Sequence, residues 1–245
     1  MQTTTIGVAA LLALSAVSFP ADPSCSVEVK LRLVPTQAKK AAQALKDDKP
    51  KIGKVLLYDT PSLTLLDQGV ILRVRSGNEQ DLTVKLRPAD PGPLNKMLEK
   101  TPGSPSCEAD ILSNGSSQRS FGEKKEPFTK EAPTSGQAFQ SELDPAQVNL
   151  LKVGKSNVPW EKVRRFGPVS VTEWSSKKQA GFGKITVEQW NWPGGELLEI
   201  STKTDKAGAA NTEKGLRGWV ANNQLTLDAD NRGKVATYLR SAPKN

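Results

Sequence analysis

Two short runs of alternating charged and apolar residues carry the clearest chemistry in this sequence. Arg73 and Arg75 lie in one run and Lys85 and Arg87 in the other, and one apolar residue separates the members of each pair. Side chains two positions apart point to the same face of a β-strand. The pattern therefore predicts two strands that each aim two cations the same way, either at water or into a cavity built for a multiply charged anion.

Other segments with the same alternation add both signs of charge to that face. Residues 26–33 alternate strictly, with Glu28, Lys30 and Arg32 opposite an apolar face. Carboxylates hold Mg²⁺ or Mn²⁺, whereas Arg and Lys neutralise phosphate oxygens, so a mixed face suits an anion bound together with a metal ion. A sheet with one face in water remains the alternative. The charged side chains that the alternation places on this one face are Glu28, Glu108, Glu188, Glu199, Lys30, Arg32, Arg73, Arg75, Lys85, Arg87, Lys184 and Lys203.

The composition excludes several classes of function. The sequence contains no histidine, which rules out Ser-His-Asp and Cys-His catalysis and His-ligated zinc. The formal net charge of +8, from 34 Lys and Arg against 26 Asp and Glu, favours anionic partners. The cationic runs contain no interleaved aromatic residues for base stacking and no recognition motif, so we do not expect a nucleic-acid partner.

The N-terminal segment has the composition of a targeting signal. Residues 1–21 carry no charged side chain, and the apolar run at residues 6–17 is too short to span a bilayer. These features predict a secretory signal peptide cleaved after Ser18 or Ala21, a secreted or periplasmic protein, and no membrane association after cleavage. An anchoring N-terminus remains the alternative, because residues 1–7 lack the usual Lys or Arg.

Cys25 and Cys107 are the only cysteines of the chain. In an oxidising compartment an even pair of cysteines most often forms a disulfide, so export predicts that these two are bonded. Two buried, unreactive thiols are the alternative interpretation.

The order of elements predicts one mostly antiparallel α+β domain at residues 25–240, with about eight strands, a number compatible with a closed barrel. A polar stretch at residues 113–137 is predicted to form a long surface loop. Helices are predicted at residues 36–48, 212–223 and 231–240. Strands are predicted at residues 26–33, 54–59, 71–75, 82–87, 107–112, 163–174, 184–192 and 196–203.

Three of these segments resemble the opening strands of the CYTH family, the triphosphate tunnel metalloenzymes. They are VEVKLRL at residues 27–33, YDTPSLTLL with GVILRVR at residues 58–75, and LTVKLR at residues 82–87. The resemblance continues through CEADI at residues 107–111, FGPV at 166–169, LLEIS at 197–201 and the late Lys234. It spans nearly the whole mature chain in the family's order, and the segment at residues 58–87 is its most specific part.

The resemblance implies an eight-stranded antiparallel barrel with charged side chains inside and helices outside. Family members bind a triphosphate in this tunnel with a divalent metal ion, Mg²⁺ or Mn²⁺, and hydrolyse it or, in some members, cyclise ATP. Carried over to this sequence, Lys30 and Glu28 are assigned to catalysis, with Lys30 positioning the attacking water. The predicted metal ligands are Glu28 and Glu199, supported by Glu108 and Glu188. The predicted phosphate-binding residues are Lys30, Arg32, Arg73, Arg75, Lys85 and Lys234, with Arg87, Lys184 and Lys203 added from strand parity.

Two positions depart from the family pattern. Ser26 stands where the first strand's Glu-x-Glu-x-Lys has its first Glu, and Ser201 stands at the second Glu of a late Glu-x-Glu. A hydroxyl lacks the negative charge that favours a hard divalent cation. This leaves two hypotheses: metal-dependent hydrolysis of tripolyphosphate or a nucleoside triphosphate, and binding of polyphosphate or another polyanion without cleavage.

Overall fold

In the part of this chain that the computed structural model describes, nine β-strands form one closed barrel with helices packed around it. The structure describes residues 25–46, 49–98, 105–176, 183–230 and 232–242. The predicted signal peptide lies outside these residues. No helix within the described ranges is long and apolar enough to cross a membrane.

The predicted α+β barrel with external helices is confirmed, with one strand more than expected. The strands are β1 (Ser26–Leu33), β2 (Lys51–Asp59), β3 (Val70–Gly77), β4 (Asp81–Leu86), β5 (Ser106–Ile111), β6 (Ser117–Lys125), β7 (Arg164–Ser175), β8 (Ile185–Trp192) and β9 (Gly195–Thr204). Around the barrel the order is β1-β5-β6-β4-β3-β2-β7-β8-β9. Every neighbouring pair is antiparallel except β1 and β5, which are parallel, so the sheet is mixed rather than wholly antiparallel.

The additional strand, β6, lies within the segment that the sequence predicted to be a polar loop. It pairs with β4 on one side and β5 on the other, so the prediction of a loop across residues 113–137 is wrong for its central part. Strand parity turns Ser120, Gly122 and Lys124 toward the interior, opposite Glu108, Lys85 and Thr83. Phe121 is the one buried apolar side chain of β6, so the apolar alternation that marks a strand is missing.

Helices cover the apolar outer face of the barrel. Leu31 and Ile200 pack with Leu216 of α6 (Ala209–Asn222), and Leu72 packs in a second cluster that includes Phe139 of α4 (Gly136–Ser141). Burying such a side chain stabilises the fold by about 1.5–3 kcal/mol. Because this apolar contact lies between the barrel and the helices, the apolar residues of these strands face outward and the charged residues face inward. The helices are α1 (Ala38–Leu45), α2 (Thr64–Asp67), α3 (Gly92–Leu98), α4 (Gly136–Ser141), α5 (Pro145–Val153), α6 (Ala209–Asn222) and α7 (Lys234–Ser241).

A third apolar cluster fills part of the barrel interior. Val55, Trp190 and Leu197 lie on the inward face of their strands and pack with Val235 and Tyr238 of α7. The last helix therefore plugs one part of the barrel, and the charged residues surround the space that remains.

The predicted disulfide between Cys25 and Cys107 is confirmed. It joins the start of β1 to β5 next to the parallel pair that begins with Ser26 opposite Glu108. Parallel neighbours cannot be linked by a tight hairpin. Here the disulfide, between cysteines 82 residues apart in sequence, supplies a covalent link between the two strands.

Candidate functional site

The inward-facing charged residues enclose a cavity of about 560 Å³. The side chains of Arg73, Arg75 and Lys85 are each only 16% exposed, so the interpretation of a charged sheet face in open water is wrong. Among the described residues that line the cavity, positive charge is in excess, because ten are Lys or Arg and five are Glu. The lining charges are Lys30, Lys51, Arg73, Arg75, Lys85, Arg87, Lys124, Lys184, Lys203, Lys234, Glu28, Glu79, Glu108, Glu173 and Glu188.

All but two of the site residues predicted from sequence line this cavity. Arg32 and Glu199 are the two that do not, although both lie on the inward face of their strands. The residues brought together are Glu28, Lys30, Arg73, Arg75, Lys85, Arg87, Glu108, Lys184, Glu188, Lys203 and Lys234.

Arg32 contacts the plugging helix instead of the cavity. Its Nη1 donates hydrogen bonds to the carbonyl of Arg232 at 3.1 Å and to the hydroxyl of Thr237 at 3.2 Å. The residue is 5% exposed. Arg32 therefore ties β1 to α7, and its predicted contact with phosphate stays a prediction.

Lys30 lies between two carboxylates. Its Nζ is 2.8 Å from Oδ1 of Asp110 and 3.1 Å from Oε2 of Glu28. Burial lowers the pKa of Lys30, but the carboxylates of Asp110, Glu28 and Glu199 outweigh that effect and raise the pKa above its usual value. Lys30 is thus charged at neutral pH, where it can donate hydrogen bonds to water or phosphate but cannot accept a proton.

Lys85 and Glu108 form a close ion pair on the wall beside it. Burial lowers the pKa of Lys85 to about 8, since it outweighs the attraction of Glu108, and Arg87 acts in the same direction. Burial raises the pKa of Glu108, but Lys85, Lys30 and Lys203 together outweigh it and bring the pKa down to about 2. The charge of Lys85 therefore changes closer to neutral pH than that of an ordinary lysine.

Lys234 occupies the space between two further carboxylates. Its Nζ is 2.9 Å from Oε1 of Glu188 and 3.0 Å from Oε1 of Glu199. Burial lowers the pKa of Lys234, and Glu188 and Glu199 raise it by more. Burial raises the pKa of Glu188, but Lys234, Trp190 and Arg73 together outweigh it and lower that pKa below its usual value.

Sequence reasoning missed Asp81 and gave Asp110 no role. Asp81 is completely buried, contacts Arg75, and has Oδ1 3.8 Å from Nη2 of Arg73. Asp110 is 1% exposed and accepts from Arg87 at 3.3 Å as well as pairing with Lys30. Each lies two positions from another inward-facing residue on its strand, Asp81 from Thr83 and Asp110 from Glu108. Because side chains two apart share a face, this spacing could have identified both from the sequence.

Part of the segment that most resembles the family builds the fold rather than the cavity. The carboxylate of Asp59 accepts hydrogen bonds from the backbone amides of Leu65 and Leu66 at 2.9 Å, at the start of α2. The hydroxyl of Tyr58 donates to the carbonyl of Pro133 at 2.8 Å. Asp59 therefore fixes the connection that leads into the cationic strand β3, and Tyr58 ties β2 to the segment before α4.

The carboxylates of the cavity do not fit a divalent metal ion as they are arranged. In the part of the chain that the structure describes, no group of three or more His, Cys, Asp or Glu side chains is disposed to hold one. Each predicted ligand instead faces a cation. Glu28 pairs with Lys30, Glu108 with Lys85, and both Glu188 and Glu199 with Lys234.

Solved structures with the same barrel identify the fold. HpAC1 from Hippeastrum superposes with a TM-score of 0.60 at 18% sequence identity, over 87% of this chain and 94% of that one. A candidate adenylate cyclase from Bacillus halodurans gives a TM-score of 0.57 at 12% identity, over 88% and 97%. The chain has the CYTH fold. The resemblance found in the sequence is thus confirmed at the level of the fold.

HpAC1 is described as a candidate adenylyl cyclase with a dominant triphosphatase activity. No protein-family model matches the present sequence, and no curated protein matches it significantly. The CYTH fold of this chain therefore rests on its structure and on the motifs in its strands.

Proposed function

We propose that the cavity of this CYTH fold binds a linear triphosphate, either inorganic or attached to a nucleoside. The convergence of ten cationic side chains of the described residues on one cavity carries this proposal. Its volume lies within the range of about 300–1,000 Å³ that is usual for small-molecule sites. Charge-assisted hydrogen bonds from Arg and Lys are the contacts that phosphate oxygens favour.

Hydrolysis of a phosphoanhydride bond is the first candidate for the fate of the bound triphosphate. Phosphoryl transfer depends on positioning and on neutralising the charge of the phosphoryl oxygens. Arg73 and Arg75 suit the second task, and the protonated ammonium of Lys30 suits the placement of an attacking water. The triphosphatase activity described for HpAC1 supports this candidate. The resemblance to the family implies Mg²⁺ or Mn²⁺, so both ions belong in the assay.

Retention of a triphosphate or longer polyphosphate without cleavage is the second candidate. A specific observation favours it: Ser26 and Ser201 replace two acidic positions of the family pattern, and the remaining glutamates are paired with lysines. The cations that would hold the anion are unaffected by these replacements.

Calorimetric titration with inorganic tripolyphosphate tests binding. We expect an affinity that weakens with added salt, because the contacts are between charges. Arg73→Ala or Arg75→Ala should weaken binding by about tenfold to a hundredfold, which corresponds to the loss of about 1.5–3 kcal/mol for a hydrogen bond to a charged group. Arg164→Ala removes an exposed arginine outside the cavity and should change nothing. Absence of binding by the unmodified protein would overturn the proposal.

Phosphate release distinguishes the two candidates. The panel contains tripolyphosphate, ATP and long-chain polyphosphate, each with Mg²⁺, with Mn²⁺ and with a chelator. Release that is lost in Lys30→Ala supports hydrolysis. Tight binding without release under any of these conditions supports retention.

We also propose that the protein is exported. Residues 1–21 have the composition of a signal peptide, and the disulfide between Cys25 and Cys107 is of the kind that persists in oxidising compartments. The mass of the mature chain, purified from the culture medium or periplasm of an expressing cell, should correspond to cleavage after Ser18 or Ala21. A full-length mass in the cytosolic fraction would contradict export.

A further inference from the structure

Glu188 and Glu199 form an acidic pair inside the barrel. They lie directly opposite each other on β8 and β9, and both side chains point inward. Like charges in directly opposed positions destabilise a sheet, and burial increases the cost because water no longer screens them. Glu199 is only 6% exposed. The pair therefore needs a positive charge next to it.

Lys234 supplies that charge from the first residue of α7. Its Nζ is within 3.0 Å of one oxygen of each carboxylate and lies 5.6 Å from the centre of the Trp190 ring. The indole nitrogen of Trp190 donates a hydrogen bond to the same Glu188 oxygen. One oxygen of each carboxylate is thus already engaged by Lys234, and that of Glu188 accepts from Trp190 as well.

The packing of α7 keeps the ammonium group in this place. Val235 and Tyr238 are buried in the apolar cluster inside the barrel, and Thr237 accepts a hydrogen bond from Arg32 of β1. Removing the ammonium from the acidic pair by moving its backbone would expose these side chains. A divalent ion that competed for Glu188 and Glu199 would have to displace a tethered cation rather than water.

We infer that Lys234 acts as a built-in substitute for a divalent cation at the Glu188–Glu199 pair, so that the cavity takes up a triphosphate without added metal ion. The second part of this statement rests on the proposed function. The first part concerns the empty protein alone and can be tested without any phosphate.

Titration with Mn²⁺ alone, followed by electron paramagnetic resonance, tests the first part. The unmodified protein should bind Mn²⁺ only weakly in the cavity. Lys234→Gln removes the ammonium group from both carboxylates and should bind one equivalent at least about tenfold more tightly. Lys234→Arg keeps the charge and should behave like the unmodified protein.

Lys184→Gln is the matched control. It also removes one positive charge from the cavity lining, but Lys184 is 53% exposed and lies 3.9 Å from Glu173, away from the acidic pair. It should gain no Mn²⁺ binding. Equal Mn²⁺ binding by the unmodified protein and Lys234→Gln, or a gain of the same size in Lys184→Gln, would overturn the inference.

Calorimetry on the unmodified protein tests the second part without any substitution. The dissociation constant for free tripolyphosphate should agree within about threefold between a chelator and excess Mg²⁺. Binding that requires Mg²⁺ would overturn the inference while leaving the proposed function intact. Absence of binding in both buffers would overturn the proposed function, and the Mn²⁺ titration would still decide the role of Lys234.

Discussion

Asp81 lies directly opposite Arg75 on the β3–β4 pair, and its completely buried carboxylate contacts the Arg75 guanidinium group. The same carboxylate lies 3.8 Å from Arg73. Asp81 therefore offsets part of the positive charge of the two arginines that we assign to phosphate binding. An incoming anion has to compete with this carboxylate for the same nitrogen atoms.

Asp81→Asn should lower stability and strengthen anion binding at once. Removing one partner of a buried ion pair costs about 3–5 kcal/mol, because the remaining charges are left without compensation. Tripolyphosphate should then bind more tightly and restore part of the lost stability, since no carboxylate competes for Arg73 and Arg75. Urea unfolding with and without tripolyphosphate measures both effects.

Glu79→Gln is the control for this prediction. Glu79 also contacts Arg75, but its side chain is 44% exposed. Pairs of this kind contribute about 0–1 kcal/mol, so the midpoint of unfolding should hardly move. Equal destabilisation by the two substitutions would show that the burial of Asp81 is not what makes its pairing important.

The pH dependence of binding should report the charge of Lys85. Its pKa in the empty protein is lowered to about 8 from an ordinary 10.5, mainly by burial, and a bound phosphate would raise it again. Below about pH 8 the ammonium is charged with and without ligand. Above that value binding has to take up a proton, so the affinity for tripolyphosphate should fall as pH rises from about 8 toward 10.5.

Stability of the empty protein should change in the opposite direction over this range. A lowered pKa in the folded state makes the unfolded chain bind more protons between about 8 and 10.5, so Lys85 contributes more stability as pH rises. Calorimetry in buffers of different ionisation enthalpy detects the proton uptake on binding. In Lys85→Arg, which stays charged, both trends should disappear, and their persistence would assign them to another group.

Asp59→Ala should destabilise the fold and leave binding unchanged. The carboxylate of Asp59 caps the first turn of α2, and loss of such a cap costs about 0.5–2 kcal/mol. Asp67→Ala is the matched control, because Asp67 belongs to the same helix but is 65% exposed and makes one long contact to Arg240. Urea unfolding and calorimetry with tripolyphosphate separate the two effects. A large loss of affinity in Asp59→Ala would contradict a purely structural role.

The alternation of charged and apolar residues in the strands predicts part of the site. Alternation of charged and apolar residues correctly predicted which side chains share a face, and Arg73, Arg75 and Lys85 do line one wall. It could not say whether that face is wet or enclosed, because both sheets and barrels produce the same alternation. The resemblance to the CYTH family is what favoured the interior of a barrel over a sheet face in water.

The remaining differences come from contacts between distant parts of the chain. Arg32 has the same parity as Lys30, yet α7 covers it, and Thr237 is 205 residues away in sequence. β6 escaped prediction because it is stabilised by hydrogen bonds to both neighbours rather than by an apolar face of its own. Neither feature leaves a local signal in the sequence.

The disulfide should matter most for the closure of the barrel. Replacing Cys25 and Cys107 by Ser is expected to lower the free energy of unfolding by about 2–5 kcal/mol, because the bond restricts a long loop in the unfolded chain. Urea unfolding of the oxidised protein, the protein reduced with dithiothreitol and the double Ser variant measures this. The last two should coincide. A stability equal to that of the oxidised protein would contradict the expectation.

Ser201→Glu tests whether metal binding can be returned to this cavity. Ser201 lines the cavity, lies opposite Lys30 on β1, and is two residues from Glu199 on the same face of β9. A carboxylate at this position would give the acidic pair a third member that Lys234 alone cannot neutralise. In a chelator, tripolyphosphate should bind more weakly than to the unmodified protein, because a negative charge has been added beside it. With Mn²⁺ the affinity should recover.

Ser201→Gln is the control, because glutamine has nearly the same size as glutamate but no charge. It should show neither the loss of affinity in the chelator nor the recovery with Mn²⁺. Equal behaviour of the two variants would mean that the added bulk, not the added charge, changes the affinity for tripolyphosphate.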